Sequence, residues 1–112
     1  MVPVSLTAAD TLAVEGIEVE VIDPRTLTPL DEETLIGSVK KTSRCVVVDE
    51  GYQRFGVTAE IASVVAEQAF YDLEAPVRRI GAMDVPVPFS PALEDATVPD
   101  VERIAQVIRE IV

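Results

Sequence analysis

Strand-like runs alternate with helical stripes along this chain, and this alternation constrains the fold more than any other feature. "IEVEVID", residues 17–23, alternates apolar and acidic side chains, which is typical of a strand with one covered face. "CVVVDE", residues 45–50, is a continuous apolar run typical of a strand covered on both faces. "PVRRIG", residues 76–81, is a third, shorter run. Strands separated by helices predict an α/β fold with a mainly parallel sheet and helices on both of its faces.

The helical stripes carry recognisable start and stop signals. From Val4 to Glu15 apolar residues recur at helical spacing, and Gly16 is well placed as a left-handed stop. Thr28 is the expected N-cap of the second helix with Pro29 at its first position, and Asp31 is a rival cap. Two further helices are predicted, one over residues 57–70 and one that opens at Pro99 and Asp100 with the stripe Val101, Ile104, Ile108 and Ile111.

The predicted elements leave the sheet incomplete at its beginning. The first predicted element is a helix, so no strand precedes it to form a strand–helix–strand unit. Three predicted strands also make a narrow sheet. We therefore expect one domain, residues 1–112, that lacks its first strand and has an unpaired sheet edge or an internal gap. The proline-rich residues 82–99 are expected to form a non-helical excursion that wraps a neighbouring surface.

Charge bears on the class of partner. Twenty acidic residues against nine basic ones give a net charge of −11. Such a chain has no cation array for nucleic acid or anionic membranes, so we expect neither as a partner. A negative field would favour basic partners, but because the acids are scattered along the chain, a charged surface that serves solubility is the simpler interpretation. No apolar run approaches the roughly 20 residues that span a bilayer, and the N-terminus lacks the marks of a signal peptide, so a cytoplasmic location is expected.

Residues able to support catalysis are scarce. The chain has no histidine, and Cys45 stands in a strand-like run without a base nearby, where it is expected to fill the core. Asp49 and Glu50 end a predicted strand, and capping the next helix or pairing with Arg54 is their expected role. A local ion pair within the loop accounts for Arg25. We predict no catalytic, cofactor-binding or metal-binding residue.

Three stretches carry a family resemblance: "DPRTLTPLD" at residues 23–31, "VVDEG" at 47–51 and "APVRRIGAMDVPVPFSPALE" at 75–94. Together they resemble the C-terminal domain of the transketolase superfamily over nearly the whole chain. More narrowly, they are similar to the β subunit of the thiamine-dependent decarboxylating component of 2-oxo acid dehydrogenase complexes, a group that includes pyruvate, branched-chain 2-oxo acid and acetoin dehydrogenases. Pro24 departs from the leucine common in this family, and proline should end the strand early.

The resemblance implies a three-layer α/β/α domain with a mainly parallel mixed sheet. Family members carry a further strand and a pyrimidine-binding domain ahead of this domain, so the chain is expected to be part of a longer subunit. Thiamine diphosphate and Mg²⁺ serve the full enzyme but lie outside this domain, which implies an inactive isolated chain that binds no cofactor. The implied function is subunit assembly, with an α subunit and a second β subunit in an α2β2 tetramer that decarboxylates a 2-oxo acid and transfers the acyl group to lipoamide.

The resemblance also implies a docking site for the basic subunit-binding domain of the acyltransferase core. In relatives an acid in an "L-D-A-P" segment and the terminal carboxylate make this contact, and the corresponding positions here are Glu74, in "LEAP", and Val112. Paired anionic groups can orient a basic module. Without the resemblance, a solvated loop acid is the simpler interpretation of Glu74.

Two other functions remain open at this point. The chain could be the C-terminal domain of a transketolase-like or deoxyxylulose-phosphate synthase enzyme, although the proline-rich segment at residues 84–91 favours the dehydrogenase subunit. It could also be a stand-alone acidic interaction domain, which requires that its 112 residues fold cooperatively alone.

Overall fold

Two strands and five helices account for most of the regular structure of the computed structural model, which describes all residues from 1 to 112. None of the helices is long and apolar enough to cross a membrane. A 3₁₀ turn, Phe70–Asp72, follows the third helix. The elements are α1 (Val2–Val14), α2 (Glu32–Thr42), β1 (Val46–Tyr52), α3 (Val57–Ala69), β2 (Arg78–Ala82), α4 (Pro91–Thr97) and α5 (Val101–Ile111).

The sheet consists of β1 and β2, which pair in parallel and are joined by the α3 crossover. Val46 lies opposite Arg78 and Val48 opposite Ile80, after which the ladder is irregular until Tyr52 meets Ala82. The predicted α/β class is therefore confirmed.

Helices cover the two faces of this sheet and bury separate apolar clusters. Helices α1 and α5 pack on each other, and α2 packs on α3. The first pair encloses Ala8, Leu12, Ile80, Ile104, Ala105 and Ile108, and the second pair encloses Ile36, Val39, Val65 and Ala69. The order helix, sheet, helix is the three-layer arrangement expected from the sequence.

Residues 17–23, the first predicted strand, form no ladder, so that prediction was wrong for the chain as it stands. The alternation was nonetheless meaningful, because Ile17 and Val19 pack against the α1–α5 cluster. The backbone N–H and C=O groups of residues 18–22, by contrast, make no backbone hydrogen bond. Side-chain periodicity reports which face is buried, whereas a strand also needs a neighbouring backbone within reach.

Signals at the helix ends predicted the end of α1 and left two candidates for the start of α2. Gly16 has φ of 82° just past the end of α1, as predicted. Of the two candidate caps, the structure selects Asp31 rather than Thr28, and α2 begins at Glu32. The Asp31 carboxylate accepts hydrogen bonds from Thr34 N at 3.1 Å and Thr34 Oγ1 at 2.7 Å, which satisfies a free N–H of the first turn.

The proline-rich stretch contains a helix, so the prediction that residues 82–99 are non-helical was wrong in part. Helix α4 begins at Pro91, a first-turn position where the missing N–H of proline is tolerated. Residues 83–90 have no regular structure but are held at two points. Tyr52 Oη donates to Val85 O at 2.9 Å, and Met83 N donates to Thr97 O at 2.9 Å.

Candidate partner-binding face and strand slot

One arginine, Arg44, contacts both the predicted docking residue Glu74 and the residue that precedes the other, Val112. Arg44 Nη1 is 3.2 Å from Glu74 Oε2, and Arg44 Nε donates to Ile111 O at 2.6 Å. Val112 follows Ile111 directly and has an exposed side chain. Glu74, Arg44 and Val112 therefore form one surface, the docking face, at the end of the sheet where the strands begin.

Backbone hydrogen bonds fix the two loops that carry this face. Ser43 ends α2 in the left-handed conformation, with φ of 62°. Ser43 O accepts from Glu74 N at 2.9 Å, and Cys45 O accepts from Arg78 N at 3.1 Å. The loop before β1 and the loop before β2 are thus tied together on both sides of Arg44.

A second ion pair lies at the same end of the sheet. Arg78 Nη1 is 3.0 Å from Glu110 Oε2 in the last turn of α5. The next residue, Arg79, points the other way and donates to Gln53 O at 2.6 Å, as the alternation of side chains along a strand requires. The carboxylates of Glu74 and Glu110 therefore each meet an arginine of the same chain.

The sequence predicted Glu74 and Val112 as partner-binding residues but gave no role to Arg44 or Glu110. Arg44 is separated from Ile111 by 67 positions, so no local pattern could pair them. The one available signal was that Arg44 stands immediately before the strongest strand-like run. The docking role of Glu74 and Val112 stays a prediction, and Arg44 contacts Glu74 and the residue before Val112.

Groups that could support catalysis are dispersed, and no cluster of three or more His, Cys, Asp or Glu side chains could hold a metal ion. Burial raises the pKa of the Cys45 thiol to about 11, which leaves it protonated and unreactive near neutral pH. The expected local ion pair of Arg25 is confirmed, with Arg25 Nε 3.1 Å from Asp23 Oδ2. Arg54 was wrongly predicted to pair with an acid at the end of β1, since its Nε lies 3.3 Å from Asp84 Oδ2 instead.

The acids at the end of β1 have partners other than those expected. Asp49 Oδ2 accepts from Gly51 N at 3.1 Å, within the same strand. Glu50 Oε1 is 3.5 Å from the amino group of Met1. The predicted capping of α3 was wrong as well, because Gly56 occupies its N-cap position without a side-chain hydrogen bond.

An open slot lies beside the unpaired edge of β1. Its volume is about 300 Å³, and its lining is mostly apolar. Residues 17–24 line it along one side, and residues 45–48 also line it. Because β1 pairs only with β2, its other edge has no partner, and residues 18–22 make no backbone hydrogen bond either. We call this cavity the strand slot.

The two ends of the strand slot can be told apart. Met1 lines it, and the Met1 amino group contacts Glu50 near the end of β1. Arg44 and Val112 line it near the beginning of β1. A strand that ran from Arg44 towards Met1 would therefore lie parallel to β1. Since residues on both of its long sides belong to this chain, the slot is a gap within the domain.

The family of the chain follows from its fold and its sequence together. The family model for the transketolase C-terminal domain matches residues 1–104. This match extends over most of the chain, and the three-layer α/β arrangement agrees with it. The chain belongs to the transketolase C-terminal domain family.

Individual proteins with similar sequences indicate a narrower group within this family. The chain is 45% identical over 107 residues to the acetoin:2,6-dichlorophenolindophenol oxidoreductase subunit beta of Bacillus subtilis (strain 168), covering 96% of this chain and 31% of that protein. It is 48% identical over 106 residues to the mitochondrial pyruvate dehydrogenase E1 component subunit beta-1 of Arabidopsis thaliana, covering 95% of this chain and 29% of that protein. It therefore spans about a third of the length of these relatives.

Proposed function

We propose that this domain is the assembly and docking part of the β subunit of a thiamine-dependent 2-oxo acid dehydrogenase component. The relatives named above are β subunits of an acetoin oxidoreductase and of a pyruvate dehydrogenase component, which supports this class over a sugar-phosphate enzyme. In the complete protein, an α subunit and a second β subunit would form an α2β2 tetramer. That tetramer would decarboxylate a 2-oxo acid and transfer its acyl group to lipoamide, and we propose a cytoplasmic location.

The side chains of this domain do not fit a Mg²⁺ site of their own. No group of three or more acidic, histidine or cysteine side chains is arranged to bind a metal ion. Cys45, the one thiol, is half-buried and its pKa is raised. We therefore propose that the cofactor is held elsewhere in the complete enzyme, that the isolated domain is inactive and that it contributes binding surfaces.

The shared contact with Arg44 is the observation that supports the docking proposal. Glu74 belongs to the loop before β2 and Ile111 ends α5, yet one guanidinium group contacts the Glu74 carboxylate and the carbonyl of Ile111, the residue before Val112. Glu74 supplies one negative group to this surface, and a chain end at Val112 would supply a second. Two such groups on one fixed surface would attract a basic module and also set its orientation. The net charge of −11 adds a long-range attraction for the same module.

Replacing Glu74 by lysine tests the docking proposal. We expect Glu74→Lys to weaken binding of the basic subunit-binding domain of the acyltransferase to the complete enzyme by roughly tenfold or more, since it substitutes repulsion for attraction. Calorimetry at two salt concentrations measures the loss and its electrostatic share. Glu67→Lys on the exposed face of α3 is the matched control for net charge. Equal affinities of wild type and Glu74→Lys at both salt concentrations would rule out docking at Glu74.

We further propose that the residues that precede this domain in the longer protein supply a strand for the slot. Such a strand would pair with β1 on one side and with residues 17–23 on the other, and it would satisfy backbone groups that now lack partners. It would run parallel to β1 and lead into α1 near Glu50. The apolar lining favours uncharged, β-branched side chains on this strand.

Cys45 can report on the strand proposal, because it lines the slot. We expect iodoacetamide at alkaline pH, where part of this thiol is ionised, to alkylate Cys45 more slowly in the longer protein than in the 112-residue chain, since the added strand would cover it. Mass spectrometry of the peptide that contains Cys45 gives the rate, and equal rates in denaturant serve as the control. The same alkylation rate in both native proteins would contradict the strand proposal.

A further inference from the structure

We propose that Arg44 is the positioning residue of the docking face, and that its guanidinium group sets the relative placement of the Glu74 carboxylate and the end of α5. This inference rests on the docking function proposed above. Charge complementarity alone would not select Arg44, because it carries the same charge as the basic partner.

The contacts of Arg44 require the shape of an arginine side chain. Nε donates to Ile111 O at 2.6 Å, and Nη1 lies 3.2 Å from Glu74 Oε2. The planar guanidinium fixes the angle between these two directions, whereas a lysine ammonium is a single point of contact on a flexible stem. Ile111 O belongs to the last turn of α5, where a helix leaves its carbonyls unpaired and favours a positive charge.

The backbone beside Arg44 is held firmly enough for a positioning role. Its neighbours Ser43 and Cys45 each accept a backbone hydrogen bond, from Glu74 and from Arg78 at the start of β2. The Arg44 side chain is 35% exposed, while the Glu74 side chain is 64% exposed. The arginine is therefore the more enclosed member of the pair, and the carboxylate keeps free surface for a partner.

Positioning and plain electrostatics predict opposite effects when Arg44 is neutralised. Arg44→Gln makes the docking face more negative by one charge, so attraction alone would tighten binding of a basic module. If Arg44 positions Glu74 and Val112, its loss frees both groups and binding weakens. The sign of the change thus distinguishes the two roles, and a merely structural role would leave the affinity of the folded protein unchanged.

The test uses the complete enzyme, with the basic subunit-binding domain of the acyltransferase as the probe. We expect Arg44→Gln to weaken binding by about three- to tenfold, because the freed Glu74 side chain must then be ordered when the partner binds. Arg44→Lys keeps the positive charge but loses the planar guanidinium group with its two fixed donor directions, and we expect it to weaken binding as well. Arg54→Gln removes the same charge from an exposed ion pair with Asp84 away from the docking face, and it should not weaken binding. Thermal unfolding of each variant establishes that it is folded.

The outcomes separate this inference from the function on which it rests. Weaker binding by Arg44→Gln, Arg44→Lys and Glu74→Gln supports the positioning role. Unchanged or tighter binding by Arg44→Gln, with weaker binding by Glu74→Gln, overturns the positioning role and leaves docking in place. Unchanged binding by Glu74→Gln overturns docking at this face, and the role of Arg44 with it.

Discussion

The two edges of β1 belong to the same residues yet lie in different surroundings. One edge pairs with β2 in parallel, and Ile80 of that strand is 1% exposed. The other edge faces the strand slot, where residues 18–22 make no backbone hydrogen bond. The lining of the slot is mostly apolar as well, so the difference does not come from hydrophobicity. What the slot side lacks is a partner for its backbone groups.

The largest expected effect compares side chains on the two sides of this strand. We expect Ile80→Ala to lower the free energy of unfolding by about 2–5 kcal/mol, because it opens a cavity in the α1–α5 cluster. Val19→Ala, on the half-buried segment beside the slot, should cost about 1 kcal/mol or less. Urea denaturation of the two variants measures the difference. Equal losses would show that the slot side is packed as well as the paired side.

Two glycine substitutions test how closely the chain packs around β2, on the paired edge of β1. A Cβ at Gly81, in β2, would lie 2.7 Å from Gln53 N and 2.8 Å from Gln53 Cα. Since both atoms are backbone, we expect Gly81→Ala to destabilise the protein by about 1–3 kcal/mol. Gly37 in α2 has no atom within 4 Å of such a Cβ.

Gly37→Ala is therefore the matched control, and it should stabilise the protein by about 0.5–1 kcal/mol through helix propensity. Thermal unfolding of both variants gives the two signs. A stabilising Gly81→Ala would mean that the loop after β1 moves aside at little cost, and the two edges of β1 would then be less different than described.

The contrast between the two edges also shows which parts of the fold a sequence can reveal. The continuous apolar run before Asp49 and the helical spacing of apolar residues in α5 are local patterns, and both elements were predicted. Residues 17–23 have an equally clear period and still form no ladder, because a ladder depends on a second chain segment that no local pattern encodes. The sequence left the N-cap of α2 undecided between Thr28 and Asp31 for a similar reason, since both residue types can cap a helix and only the path of the loop decides.

The docking face was predictable only through the family resemblance. Glu74 is one of 20 acidic residues, and nothing in its neighbours distinguishes it from a solvated loop acid. The link from Arg44 to Ile111 spans 67 positions and required the fold. Contacts between residues this far apart in sequence depend on how the loops arrange the helices and strands in space, and no local sequence pattern encodes that arrangement.

The smallest expected effect concerns the ion pair that ties residues 17–23 to α2. Lys41 Nζ donates to Glu20 Oε2 at 2.6 Å. This hydrogen bond, with a smaller contribution from the nearby Ser38 side chain, holds the pKa of Glu20 below its ordinary value of 4.5, and Glu20 raises the pKa of Lys41 above 10.5. A lowered carboxylate pKa contributes stability that is complete above pH 4.5 and is lost as the pH falls through the lowered value.

We therefore expect Glu20→Gln to lower the urea midpoint slightly at about pH 7, and by progressively less as the pH falls below 4.5 and the wild-type carboxylate itself becomes protonated. The effect should be small, because both side chains are exposed and solvent screens the pair. Glu67→Gln, on the exposed face of α3, is the control and should show no such convergence. A midpoint difference that did not shrink in acid would mean that Glu20 stabilises the segment by packing rather than by charge. The slot side would then be held by more than one exposed ion pair, and the contrast between the two edges of β1 would narrow.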